Sequence, residues 1–345
     1  MKRWAQGFAA LVFAAFATWF GWRQYERHWL HEPIAALTAP ATFEVPAGAP
    51  LGAVARALEA EGILDRPRIW LRHAKSEGLA TRIQAGEYRL EPGTTPVSLL
   101  DQFVAGDVVL HALTLPEGWT FRQALAAIHA NPDIRAELKG ATDAELRSRL
   151  GLGHEHPEGL FFPDTYRFPR GTSDIALLRQ AHARLERELA AAWSARTPGL
   201  PLDSPFQALI LASLVEKETG AADERPLIAG VFVNRLRRSM RLQTDPSVIY
   251  GLGQRFDGNL RRGDLVADTP YNTYTRAGLP PTPIALVGRE ALKAAVQPAD
   301  TGALYFVATG RGDGRHFFAE TLVAHNENVS RHLANLRGGR GVQVR

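Results

Sequence analysis

The 345-residue chain contains no cysteine, which excludes disulfides, thiol nucleophiles and cysteine-ligated metal sites. Charge of one sign is also lacking. Forty basic residues face 36 acidic ones for a net +4, and the bases are scattered apart from clusters at residues 235–241 and in the tail, so nucleic acid is not an indicated partner. There is no glycine-rich phosphate loop of usable pattern. Ser213 has no histidine in a motif context that would complete a serine triad. His154-Glu155-His156 has a spacing that fits no helical histidine pair and sits in a polar stretch, so it reads as a solvated loop, and His28 and His31 beside the uncharged run are read in the same way. The Arg-Gly-Asp triplets at residues 262–264 and 311–313 read as turns. Neither a metal nor a cofactor is expected.

What remains is an ordinary globular composition, 45% hydrophobic and 22% charged, long enough for two or three domains with real cores. One long uncharged run stands out, residues 7–22, closed by Arg23, Arg27 and His28. It is slightly shorter than the ~20 residues of a typical span, but Trp4, Trp19, Trp22 and Trp29 bracket it like interface aromatics. Ala15-Phe16-Ala17 has the form of a signal-peptide cleavage site. The apolar run continues past it through Trp19, Phe20 and Trp22, so an uncleaved anchor is expected, with residues 1–6 cytoplasmic and the large remainder exported. Residues 23–40, with Pro33 and Pro40, read as a juxtamembrane connector.

Three similar units follow. Phe43-Glu44-Val45, Tyr88-Arg89-Leu90 and Leu113-Thr114-Leu115 each lead through a Pro/Gly turn into an amphipathic helix. Thr95 and Thr120 are placed as helix caps. The polar stretch 131–157 reads as a domain transition or insertion. Beyond it, helices are predicted over 174–196, from Ser204-Pro205 onward, over 225–238, 289–296 and 321–336, with a strand at 304–308. Residues 243–283 read as one long loop, the kind of segment that tends to carry function. The interleaving predicts an α+β fold: an N-terminal membrane helix, a small strand-helix region over 41–110, and a larger mixed α+β domain over 111–336, before a flexible tail at 337–345.

The helix beginning at Pro205 is nearly all apolar until it reaches Glu216 and Glu218. At about 100° per residue, Glu218 stacks over Leu214, Leu211 and Gln207 while Glu216 points the opposite way. The two acids therefore cannot share one role. A desolvated carboxyl has a raised pKa and can protonate a leaving group. Alternatively, both acids sit at a fraying helix end, or one pairs with Lys217 or Arg225. Two later stretches, Leu242-Gln243-Thr244-Asp245-Pro246-Ser247 and Pro270-Tyr271-Asn272-Thr273-Tyr274-Thr275, mix amide, carboxylate, hydroxyl and aromatic groups, the inventory with which proteins hold sugars. The bland alternative is that Asp245 and Asn272 nucleate turns.

Several ordered motifs together resemble one family. Val215-Glu216-Lys217-Glu218-Thr219, Val233-Asn234-Arg235-Leu236, Met240 through Pro246 with Val248-Ile249-Tyr250-Gly251, and Tyr271-Asn272-Thr273-Tyr274 with Gly278-Leu279-Pro280-Pro281 are similar to the endolytic murein transglycosylases, the MltG or YceG-like proteins. Leu115-Pro116-Glu117-Gly118, Glu158-Gly159 with Phe162 through Tyr166, Leu304 through Val307, His316-Phe317 and His325-Asn326 extend the match over residues 40–336. The resemblance implies a single-pass inner-membrane protein with a LysM-like periplasmic region, a catalytic domain, peptidoglycan glycan strands as substrate and peptidoglycan synthases as partners. It also implies that Glu218 is the catalytic acid. Such an enzyme cleaves the β-1,4 bond from N-acetylmuramic acid to N-acetylglucosamine and leaves a 1,6-anhydro end. Gln243, Asp245, Tyr271, Asn272 and Tyr274 are expected sugar contacts, and Asn234 a partner of the catalytic carboxyl. The rival readings are a hydrolytic muramidase, with Asp245 or Glu158 activating water, and a membrane-tethered glycan-binding scaffold without chemistry.

Overall fold

A computed structural model describes residues 2–153 and 156–340, without the side chains of residues 2, 3, 5, 9 and 338–340. His154 and Glu155 of the His-Glu-His stretch, and residues 341–345 of the expected tail, lie outside the described residues. The chain divides into two compact units, Met1–His111 with Arg167–Gly171, and Ala112–Tyr166 with Thr172–Arg345.

The first unit opens with helix α1 (Lys2–His31), whose aromatic side chains Trp4, Phe8, Phe13, Phe16, Trp19 and Phe20 are exposed. Among the described residues, no helix is long and apolar enough to cross a membrane. Strand β1 (Ala41–Val45), helices α2 (Leu51–Ala60) and α3 (Pro67–Ser76), strand β2 (Gly86–Leu90) and helix α4 (Pro96–Ala105) follow. The two strands are antiparallel with Phe43 opposite Tyr88. Phe103 of α4 gathers the core by stacking on Phe43 at 5.9 Å, tilting onto Tyr88 at 4.6 Å and meeting Trp70 edge-on at 6.2 Å. Polar atoms of these rings are matched: Trp70 Nε1 donates to the Pro96 carbonyl at 2.8 Å and the Tyr88 hydroxyl to that of Gln84 at 2.7 Å. Thr95 caps α4 in a reciprocal box with Ser98, as its position before Pro96 predicts. Helix α3 was not anticipated; its Pro-Arg-Ile-Trp start hides Ile69, Trp70 and Ala74 among charged neighbours.

The boundary between the units runs through strand β3 (Leu110–Thr114). In the second unit, α5 (Phe121–Ala130) starts at the predicted cap, Thr120, in a box with Gln123. The polar stretch expected to be a transition holds β4 (Ile134–Arg135) and α6 (Asp143–Leu150); then come β5 (Thr165–Pro169), which the boundary also divides, β6 (Thr172–Ser173) and α7 (Asp174–Ser194). Helix α8 (Pro205–Glu218) is the axis of this unit. All residues from Ala208 to Val215 are buried, as expected of a helix apolar all round. It packs against α7, α9 (Arg225–Arg237), α10 (Asp245–Leu252) and α12 (Arg289–Val296). Before α12 comes the short α11 (Arg262–Val266); β7 (Tyr305–Ala308) and β8 (His316–Ala319) form an antiparallel pair, and α13 (Leu322–Arg340) closes the chain. Residues 243–283 are thus not one loop, because α10 and α11 interrupt them. Their eight and five residues are too few to display a sustained apolar period. The fold is mixed α+β, and among the described residues its strands lie in two-stranded pairings.

Candidate active site

Helix α8 begins where its sequence dictates. Ser204 accepts the Gln207 amide at 3.3 Å, Pro205 takes the first helical position, and a proline there costs nothing because its missing N–H had no intrahelical partner. The helix stops at Glu218, since Thr219 turns extended with φ −144° and ψ 139°. Glu218 is therefore the last side chain of a buried helix, above Leu214 and Leu211, both at 0% exposure. It keeps a partial opening to solvent although protein atoms crowd its carboxyl. Burial pushes that carboxyl up to about 7. The negative charge of Asp245 adds to the rise, while a hydrogen bond from Thr244 and the charge of Arg235 oppose it.

Thr244 is the group in direct contact: its hydroxyl donates to Glu218 Oε1 in a short hydrogen bond. It precedes α10 as the N-cap residue, yet its side chain makes no cap bond. The hydroxyl that would ordinarily satisfy a helix amide is turned to the acid instead. Its placement is over-determined. The Thr244 amide donates to Thr273 Oγ1 at 3.0 Å, Ser247 Oγ donates to the Thr244 carbonyl at 2.9 Å, and the preceding Gln243 amide donates to the Thr273 carbonyl at 3.1 Å. Gln243 itself holds φ 51°, a left-handed conformation unfavourable for a residue with a Cβ. From beneath, the buried Arg235 donates to the Leu304 and Leu242 carbonyls, both at 2.6 Å, with its guanidinium 5.3 Å from the Tyr305 ring centre.

Glu216 faces away, as the helical period requires, and one of the alternatives left open for it holds. Its Oε1 lies 3.3 Å from Arg225 and its Oε2 accepts the Gly288 amide at 3.0 Å. Burial raises its pKa, the Gly288 hydrogen bond being the largest opposing influence. Lys217 donates to the Gly118 carbonyl at 3.1 Å. This side of the helix end is a clasp joining α8 to α9, to the start of α12 and to the turn before α5.

A second buried acid, Glu158, is 3% exposed. Its Oε1 accepts the Phe121 amide at 2.8 Å and the Gly159 amide at 3.2 Å, and its Oε2 accepts the Tyr250 hydroxyl at 3.2 Å. Burial lifts it to about 7 as well. With both oxygens engaged in the interior, it is poorly placed to activate water. Gly159 beside it has φ 74°, and a Cβ there would meet Pro283 at 2.4 Å, so only glycine fits.

The expected sugar contacts divide. Asp245 Oδ1 accepts the Tyr274 hydroxyl at 2.6 Å next to Thr244, and that phenol's pKa is pushed up first by burial and then by Asp245. Gln243 and Asp245 are exposed. Tyr271 is half-buried, its hydroxyl 2.8 Å from that of Thr282 and its ring edge-on to Tyr250 at 4.8 Å. Asn272 is different: it is 0% exposed, its amide donates to the carbonyls of Asp264, Leu265 and Ala267, and its Oδ1 accepts the Tyr274 amide. It organises the loop from inside, as the turn reading had it, and does not face a ligand. Asn234, expected at the carboxyl, gives its amide to the Thr301 and Ala303 carbonyls at 2.6 and 3.2 Å. Its neighbour Arg235 supplies the charge felt by Glu218. Thr244, Thr273 and Arg235 were missed, although Thr244-Asp245-Pro246 carries the signal of a helix start. Ser213, set aside as a nucleophile, bridges the Ile210 carbonyl and the Ile284 amide in the core. Among the described residues no cluster of three or more histidine, aspartate or glutamate side chains could hold a metal.

The chain is similar to known proteins over most of its length. The chain is 30% identical to the endolytic murein transglycosylase of Bacillus subtilis (strain 168) over 315 residues, covering 85% of each. It is 28% identical over 334 residues to the protein of that name from Streptococcus pneumoniae (strain D39), covering 85% of this chain and 58% of the relative. A crystal structure of a yceG-like protein from Listeria monocytogenes is 29% identical and covers 84% of this chain and 98% of its own, with a TM-score of 0.49. The description of the YceG-like family matches residues 43–331, a span that takes in Glu158, both acids of α8, the Thr244 cap and the buried Asn272, and the chain belongs to that family.

Proposed function

We propose that this protein is an endolytic lytic transglycosylase of peptidoglycan in which Glu218 acts in turn as general acid and general base. The observation that carries the reading is a single carboxyl at the end of a buried helix, raised to about 7, on a residue that keeps partial exposure, and held by one hydroxyl. Protonated Glu218 gives its proton to the oxygen linking N-acetylmuramic acid C1 to N-acetylglucosamine. The C1–O bond breaks with oxocarbenium character. The muramoyl C6 hydroxyl then attacks C1 and its proton returns to the carboxylate. One C–O bond is lost and one formed, no water enters, and the acid is regenerated. A second carboxylate, which hydrolytic glycosidases use, is unnecessary because the nucleophile belongs to the substrate and is already positioned. The Thr244 hydroxyl suits both halves, since it can donate to the carboxylate and accept from the acid. Asp245, beside it, supplies negative charge for the developing cation.

Gln243, Asp245, Tyr271 and Tyr274 form the proposed sugar-facing set. The strand-helix region containing β1 to α4 is read as a LysM-like module that meets glycan, its β-α-α-β order being the support. The run 7–22 with its exposed aromatics serves as a short single-pass anchor in the inner membrane, placing the catalytic unit in the periplasm, where nascent strands and their synthases are met first. Purified glycan strands digested by wild type and by Glu218→Gln test the chemistry by product mass. The expected products lack one water relative to reducing ends and vanish in the variant. Reducing-end products would mean a muramidase, and undiminished turnover by Glu218→Gln would remove Glu218 from the reaction.

A further inference from the structure

A groove of about 1110 Å3 lies in the first unit, between the C-terminal part of α1 and helices α2 and α3. Its walls are Trp22 and Tyr25 on one side and Arg56, Arg66, Arg68 and Arg72 on the other. The walls are fixed to each other. Trp29 Nε1 donates to Asp65 Oδ1 at 2.9 Å, Arg72 pairs with the buried Glu26, and the Arg66 guanidinium sits 4.9 Å from the Tyr25 ring centre. These contacts occupy Arg72 and Arg66, the latter also 3.5 Å from Asp65. Arg56 and Arg68 are exposed and have no ion-pair partner among the described residues. Glu59 and Asp65 also line the groove, so with Glu26 on Arg72 four arginines meet three carboxylates, leaving a net positive charge, and Arg56 and Arg68 are the two guanidinium groups outside any ion pair among the described residues.

The position of this groove matters as much as its charge. It begins at Thr18, Gly21 and Trp22, where the uncharged run of α1 ends. An aromatic wall belongs at the level of lipid headgroups, and guanidinium groups bind phosphate through paired N–H donors. We propose that the groove is a binding site for the phosphate-bearing headgroup of an anionic membrane lipid, with Arg56 and Arg68 on the phosphate and Trp22 and Tyr25 against the glycerol and first acyl carbons. This rests on α1 being the anchor. A lipid held there ties α2 and α3 to the bilayer surface and so fixes the height of the first unit above it.

The test uses the full chain in a neutral detergent, titrated with dihexanoyl phosphatidylglycerol, dihexanoyl phosphatidylcholine or inorganic phosphate. Saturable binding of the phosphatidylglycerol is expected, with phosphatidylcholine and free phosphate each at least tenfold weaker. The pair Arg56→Gln/Arg68→Gln should weaken phosphatidylglycerol binding about thirty-fold, from roughly one kcal/mol per basic side chain. Arg56→Lys/Arg68→Lys should restore most of it, and Arg82→Gln, an exposed arginine outside the groove, should change nothing. Equal binding of phosphatidylcholine would overturn the proposal by showing that charge is not read, and equal binding of free phosphate by showing that the lipid is not. Undiminished binding by the glutamine pair would overturn the assignment of the arginines. Failure of the anchor is seen separately, as wild type that does not partition into vesicles of phosphatidylcholine alone.

Discussion

Glu158 and Glu218 are two buried acids of the same unit, and burial lifts both to about 7. They differ in what remains unoccupied. Glu158 spends Oε1 on two backbone amides and Oε2 on Tyr250; Glu218 accepts one hydrogen bond among the described residues, from Thr244 to Oε1, and as a residue is only partly buried. A perturbed pKa is therefore a poor mark of a catalyst when taken alone, because structural acids are perturbed by the same desolvation. What separates the two is an oxygen, Oε2 of Glu218, left without a hydrogen-bond partner among the described residues. Glu216 falls on the structural side with Glu158, held by Arg225 and Gly288.

The comparison breaks most visibly in activity. Glu218→Gln should lose about a thousandfold in turnover, within the range typical of a positioned acid, while Glu158→Gln should stay within about tenfold of wild type, since its roles are carried by neutral hydrogen bonds that an amide can largely reproduce. Release of anhydro-ended fragments measures both. A folded Glu158→Gln protein as inactive as Glu218→Gln would erase the distinction. Wild-type kcat/KM should also fall as pH rises through about 7, where Glu218 loses its proton.

Stability gives the next largest contrast. A carboxyl whose folded pKa is raised above the unfolded 4.5 contributes stability that is complete below about 4.5 and lost as pH climbs through the folded value near 7. For Glu158 that loss is about 3 kcal/mol, and Glu218 adds one of similar size. Denaturant unfolding of wild type at pH 4 and pH 8.5 should show the combined decline. Glu158→Gln, which cannot ionise, should remove about half of it and leave the enzyme active; Glu218→Gln should remove the other half and leave it inactive. An unchanged pH slope in Glu158→Gln would show that the acid does not titrate in this window.

How much of this was legible in sequence follows the range of the interactions. Ser204-Pro205 and the apolar run set the start of α8 to the residue, Thr95 and Thr120 announced their caps, and the 3.6-residue period separated Glu216 from Glu218. Each depends on neighbours within a few positions. Arg235 reaches Leu304, and Thr244 reaches Glu218 and Thr273, across spans in which no local pattern operates. Asn272 was misread for a related reason: its amide chemistry suits a sugar, but three backbone carbonyls from one turn of the chain claim it first, and only the folded loop reveals that they are within reach.

A smaller effect sharpens the role of the one group holding Glu218. Thr244→Val keeps the shape and deletes the hydroxyl, and losing a hydrogen bond to a charged group should cost roughly 1.5–3 kcal/mol where it is felt. Because that bond favours the ionised acid, its loss raises the pKa further. The alkaline limb of the pH-rate profile should move to higher pH while turnover at the optimum falls about tenfold. A limb that moves to lower pH would show that Thr244 acts chiefly on the neutral form.

The smallest expected effect concerns the backbone that delivers Thr244. Gln243 at φ 51° pays about 1 kcal/mol for a left-handed conformation, and strain of this kind persists where the surroundings impose it. Gln243→Gly removes the steric cost but frees the unfolded chain, so the two terms nearly cancel and stability should change by less than about 1 kcal/mol. Activity separates backbone from side chain. If Gln243 serves only to turn the chain, kcat and KM both stay near wild type. If its amide also touches the glycan, as proposed, KM rises a few-fold with kcat unchanged, and Gln243→Asn, which tolerates the same φ and keeps an amide, recovers part of the loss. A drop in kcat in the glycine variant at unchanged KM would instead mean that the strained conformation itself sets the Thr244 hydroxyl against Glu218, placing Gln243 with Thr244 and Arg235 among the residues that distinguish the open acid from the closed one.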